Sequence, residues 1–147
     1  MCLELKSKLT RVQTAKRDIT VYKVLRKSPT GNMVTPYKEM LIKLGGTYIS
    51  RLKRENDGSE MIITRGLHSF ATLKEAREEF YSWGGDDHIV VKCIIPKGAK
   101  YYRGLFGWTK RWKCLSSNKI VYINEIKHAQ ICNNINPIYW NPYISQQ

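Results

Sequence analysis

The chain has 147 residues, 42% of them hydrophobic and 11% aromatic, which suits one globular domain with a real core and excludes a disordered chain. Its 25 Lys and Arg stand against 12 Asp and Glu, a formal charge of +13 that concentrates anions at the surface without naming one. No stretch approaches the roughly 18 apolar residues that span a bilayer and the N-terminus lacks the apolar core of a signal peptide, so no membrane partner and a cytoplasmic location are expected.

Residues 1–18 read as a basic N-terminal arm, in which Leu5, Leu9 and Val12 have the spacing of a short amphipathic helix. A single domain is expected over 19–147. It opens with a strand at Ile19–Arg26, where Ile19, Val21 and Lys23 alternate with Thr20, Tyr22 and Val24. Pro29 and Gly31 then supply turn chemistry. After a break at Gly45-Gly46, Tyr48–Leu52 reads as a strand, and Asn56-Asp57-Gly58 turns it into Met61–Thr64 as a hairpin.

The best-defined element is a helix over Leu73–Trp83. Thr72 and Glu75 form a capping box, Leu73, Ala76, Phe80 and Trp83 share one buried face, and Gly84-Gly85 end it. Its acids Glu75, Glu78 and Glu79 read as a solvated face balancing Lys74 and Arg77. His88–Ile95 is almost wholly apolar and β-branched, the mark of a central strand. Pro96-Lys97-Gly98 turns the chain into a strand at Tyr101–Phe106, a Gly/Trp-rich loop follows, and Lys119–Ile126 supplies the last strand. The tail beyond Lys127 reads as irregular coil. These elements predict an α+β fold, a bent antiparallel or mixed sheet of five to seven strands with one main helix packed on it.

Two stretches carry candidate ligand chemistry. Arg65-Gly66-Leu67-His68-Ser69-Phe70 precedes the helix, whose N-terminal dipole favours an anion. There Arg65 offers a bidentate donor to phosphate, Ser69 a hydroxyl, and His68 a donor or an acid/base, although a lone His is more often a structural residue. The second stretch, 88–124, contains no Asp or Glu but interleaves cations with rings, among them Lys97, Tyr101, Tyr102 and Arg103. Cations neutralise phosphate and rings stack on bases, so this is nucleotide-binding composition; the bland alternative is core rings beside solvated lysines.

The four cysteines are scattered, which fits free thiols better than a disulfide framework or a zinc site. No catalytic triad, GxSxG elbow, P-loop, cofactor motif or metal site can be assembled. No catalytic residue and no cofactor are therefore assigned.

Val21–Leu25 (VYKVL), the Gly66–Phe70 motif (GLHSF) leading into the helix, VVKCIIPKGAKYYRG at 90–104 and KIVYINEI at 119–126 together resemble small proteins encoded by bacteriophages and gut bacteria, over about residues 19–126. By context, the resemblance implies a phage-type protein that binds and sequesters a small phosphate-containing nucleotide-derived signal and so counters host defence. A cyclic oligonucleotide or an ADP-ribose derivative would be that signal, met in the cytoplasm of the host bacterium. Two alternatives stay open: an enzyme on the same ligand class, a phosphodiesterase or ADP-ribose-modifying enzyme with His68 as acid/base, and a sequence-independent nucleic-acid binder using the basic arm. A homo-oligomer is compatible with each.

Overall fold

The computed structural model describes residues 3–7, 9–36, 38–56, 58, 60–83, 87–106 and 112–127, with the backbone alone at 82 and 83. The chain begins with β1 (Leu3–Glu4), β2 (Gln13–Thr14), the long β3 (Ile19–Lys27), β4 (Met33–Val34) and β5 (Leu41–Ile42). Next come β6 (Thr47–Ile49), β7 (Lys53–Asn56), β8 (Met61–Arg65), β9 (Leu67–Phe70) and the helix α1 (Leu73–Trp83). The last elements are β10 (His88–Ile95), β11 (Lys100–Phe106), β12 (Trp112–Ser117) and β13 (Lys119–Ile126).

Among the described residues all thirteen strands belong to one sheet. Ten lie on a continuous antiparallel path, β6-β13-β10-β3-β9-β12-β11-β1-β8-β7, curled into a half-barrel, while β2 joins β11 and β4 and β5 branch from β3. This overturns the expected α+β fold of five to seven strands: the described residues are mostly sheet, with one helix laid on it. The miscount has identifiable sources. Leu67–Phe70, to which the sequence pattern assigns no strand, is β9, and part of the Gly/Trp-rich loop is β12. Tyr48–Leu52 is divided between β6 and the approach to β7, and β7 rather than that whole segment pairs with β8. Such short or polar segments join because a strand edge offers unpaired amides and carbonyls that any extended neighbour can satisfy.

The N-terminal residues are extended as well, where their apolar spacing predicts a helix. β1 inserts between β11 and β8, with Leu3 only 1% exposed and Leu5 buried. Glycine at position 104 permits this: a Cβ there would strike the Glu4 carbonyl and come within 2.8 Å of Leu3 Cγ.

Both faces of the sheet are buried in its middle, which explains the near-continuous apolar runs of β3 and β10. Alternation sends Val21, Leu25, Val91, Cys93, Leu115 and Tyr122 to one cluster. It sends Val24, Val90, Phe70, Phe106 and Cys114 to the other, which α1 covers with Ala76 and, half-buried, Leu73 and Phe80. The helix has the predicted bounds, and at its start the Glu75 amide donates to Thr72 Oγ1 at 3.4 Å. Asp57 of the predicted turn, the Trp83 ring, Gly84-Gly85, the loop at 107–111 and the tail from 128 lie outside the described residues or side chains.

Candidate binding cavity where two strands part

β3 is paired with β10 over eight residues, from His88↔Arg26 to Ile95↔Ile19. On its other side it meets β9 at a single position, Tyr22↔Phe70, before reaching β4 at Arg26 and Lys27. β9, by contrast, is fully paired with β12, from Cys114↔Phe70 to Ser117↔Leu67. Two contacts hold β9 to that side. A Cβ on Gly66 would collide with Ser116 Oγ and lie 2.9 Å from Leu52 Cδ2, so only glycine lets the chain approach β12 this closely. Two residues further along β9, His68 Nδ1 and the same Ser116 Oγ are hydrogen-bonded at 2.8 Å.

The sheet therefore opens between Lys23–Val24 of β3 and Gly66–Ser69 of β9. The opening is a cavity of about 260 Å³, lined also by Thr35, Pro36, Lys38 and Met40, by Glu79 of α1, and by Phe106 and Cys114. Most of its wall is apolar. The polar groups are few: Lys23, Lys38, Glu79, His68, Ser69 and the small hydroxyls of Thr35, Ser50 and Thr64.

Lys23 and Glu79 enter from different sides. Lys23 shares strand parity with Val21 and Leu25 and belongs to the face that α1 does not cover. Glu79 projects from the helix and is 3% exposed. Burial pushes the Glu79 carboxyl up to about 7, against the pull of the Lys23 charge. Burial likewise pushes the Lys23 amine down to about 8; Cys93 and Glu79 oppose that shift and Lys38 adds to it. Cys114 is a free thiol held above its usual range by burial first and by Glu79 and Glu75 next, so it is a packing group and not a nucleophile. Ser69 is 2% exposed, and its Oγ has no hydrogen-bond partner among the described residues. A buried hydroxyl without a partner is costly, of order 1–3 kcal/mol, unless something supplies one.

The seven residues proposed from sequence do not converge. His68 and Ser69 line the cavity; Arg65, Lys97, Tyr101, Tyr102 and Arg103 do not. Arg65 is exposed at the end of β8, between two cavity residues, Thr64 and Gly66. The anion site expected at the helix N-terminus is not formed as drawn, because 67–70 is a ladder strand and α1 starts only at Leu73. Lys97 lies in an exposed turn whose amide donates to Asp18 Oδ1 at 2.9 Å. Tyr101 packs in the first core cluster and Tyr102 against the second, as alternation requires. Arg103 sits over the Tyr101 ring, 5.5 Å from its centroid, in a cation–π contact.

Lys23, Lys38 and Glu79 escaped the sequence reading. A signal existed for two of them. Lys23 occupies an inward position between Val21 and Leu25, and Glu79 falls three residues after Ala76 on the apolar side of the helix. Read as a solvated acid, Glu79 is instead buried because that side of α1 rests on the sheet. Among the described residues no three His, Cys, Asp or Glu groups stand close enough to hold a metal ion. No helix among them is long and apolar enough to cross a membrane.

In comparisons with known proteins, no family model, no curated protein and no solved structure matches the chain.

Proposed function

We propose that the protein is a binder of a small phosphate-bearing molecule, nucleotide-derived and of mononucleotide size, which it holds in the cavity between β3 and β9. The observation that carries this reading is the buried Ser69 hydroxyl, without a partner among the described residues, in a largely apolar cavity that Lys23 and Lys38 also line. An apolar wall with a few converging polar groups is the usual make-up of a small-molecule site, and two cations select an anionic head. The net charge of +13 feeds anions toward it. Size sets the class. At about 260 Å³ the cavity is slightly smaller than the usual ligand site of about 300 to 1,000 Å³, so a sugar phosphate or at most a nucleoside monophosphate suits it and a cyclic oligonucleotide does not. Sequestration of such a signal, countering host defence, is the biological role this reading extends to.

Thermal-shift titration with inorganic phosphate, nucleoside monophosphates and ADP-ribose tests it. A ligand at 100 times its dissociation constant adds about 2.7 kcal/mol to stability, and Lys23→Met or Lys38→Ala should remove most of the gain. Silence with every small anion, alongside tight and steeply salt-dependent binding of single-stranded DNA, would move the function to the exposed cations such as Lys97 and Arg103.

A further inference from the structure

Resting on the reading of the cavity as a ligand site, we propose that Lys23 is a nucleophilic amine that captures an aldehyde or ketone as an imine, with Glu79 relaying the proton. The ligand class then narrows to a small carbonyl compound carrying a phosphate.

Three features of the cavity favour this chemistry. Lys23 is half-buried as a residue and lines the cavity, which places its side chain in a mostly apolar wall beside the open space. Desolvation and a second cation are the two devices that make a lysine nucleophilic at neutral pH, and Lys38 is that second cation. With burial pushing it down to about 8, the Lys23 amine is neutral near pH 7 in a fraction roughly a hundredfold or more above that of an ordinary lysine. Glu79, pushed up to about 7, divides its population between acid and base at the same pH, which suits a group that must both give and take a proton.

The step balances without any further reagent. The neutral Nζ adds to the carbonyl carbon, a C–N bond forms, and the π pair moves to oxygen, which takes one of the two protons of the now cationic nitrogen to give a neutral carbinolamine. The acid form of Glu79 protonates the hydroxyl, the C–O bond breaks, and water leaves. The nitrogen then returns a proton to the Glu79 carboxylate. Amine plus carbonyl gives imine plus water, with nothing oxidised or reduced.

The test uses the full chain with two probes, pyridoxal phosphate and propanal, followed by cyanoborohydride reduction and peptide mass mapping. The expected result is labelling at Lys23 at least about tenfold faster than at any other lysine, lost in Lys23→Arg and slowed in Glu79→Gln with its position unchanged. Because the labelled lysine is mapped in the unaltered protein, the result stands even if a variant fails to fold. Labels spread evenly over the exposed lysines overturn the imine, and an undiminished rate in Glu79→Gln overturns the proton relay. Inorganic phosphate should slow pyridoxal phosphate and leave propanal untouched. If propanal marks Lys23 while phosphate competes with neither probe, the imine survives and the anion site falls. If neither probe marks Lys23 but phosphate raises the melting temperature, the anion site survives and the imine falls.

Discussion

Lys23 and Glu79 line one cavity although they spring from opposite sides of the sheet, Lys23 from a β3 position in register with Val91 and Glu79 from the helix on the far face. That is possible only because β3 and β9 touch at a single residue pair and then part. A continuous ladder there would have separated the two groups with backbone. Each group feels the other's charge, and both pay for being taken out of water.

The pair gives stability a specific pH dependence. The Glu79 carboxyl is raised from 4.5 to about 7, so the folded state holds its proton more tightly than the unfolded chain. Its contribution is full below pH 4.5 and is lost as pH rises toward 7. The Lys23 amine is lowered from 10.5 to about 8, so the folded state releases its proton first, and stability returns as pH rises from 8 to 10.5. The pair's contribution should therefore be smallest near pH 7–8. Urea unfolding across pH should show Glu79→Gln abolishing the falling limb and Lys23→Met the rising one, each worth roughly 1–3 kcal/mol after solvent screening. Limbs identical in wild type and variants would mean that the two groups are not buried together.

Gly66 is expected to be intolerant for a reason that a second substitution can expose. Gly66→Ala drives a methyl into Ser116 Oγ and should cost about 1–3 kcal/mol. Gly66→Ala combined with Ser116→Gly removes that clash, so the double variant should lose less than the sum of the singles. Strict additivity in chemical denaturation would show that β9 is not pressed against β12 at this point.

Tyr122→Phe should hold or raise stability. The Tyr122 hydroxyl is buried without a hydrogen-bond partner among the described residues, and burial pushes its ionisation well above the usual range. Deleting an unpaired buried hydroxyl while keeping the ring, which packs edge-on to Tyr48 at 5.3 Å, relieves a penalty of about 1 kcal/mol. A loss of more than that amount in the melting experiment would reveal a partner for the hydroxyl.

Cys93 and Cys114 should resist alkylation at pH 8 until the protein unfolds. Both are buried, and burial pushes the Cys93 thiol up to about 12 and the Cys114 thiol above its ordinary range. Iodoacetamide labelling with peptide mapping checks this, and rapid native labelling of Cys114 would mean that the cavity admits reagents to its floor.

Much of the framework was legible in the sequence. The helix from Leu73 to Trp83 and the strands expected at 19–26, 88–95, 101–106 and 119–126, which the structure matches to within a residue, follow from periodicity, which is a local property: a residue's face is set by its neighbours two or four positions away. The number of strands was not legible. Leu67–Phe70 and Trp112–Ser117 carry loop-like composition and become strands because each gives the other a partner 44 to 50 positions away in the chain. The cavity was equally hidden. His68 and Ser69 were found as a motif, but Lys23 reads the same whether an alternating strand turns it to water or into a gap. What decides is whether the neighbouring strand stays in register, and that depends on the contact of Gly66 and His68 with Ser116, far along the chain. Local chemistry thus selected the strands and the helix, while the partnering of distant edges chose which side chains share a cavity.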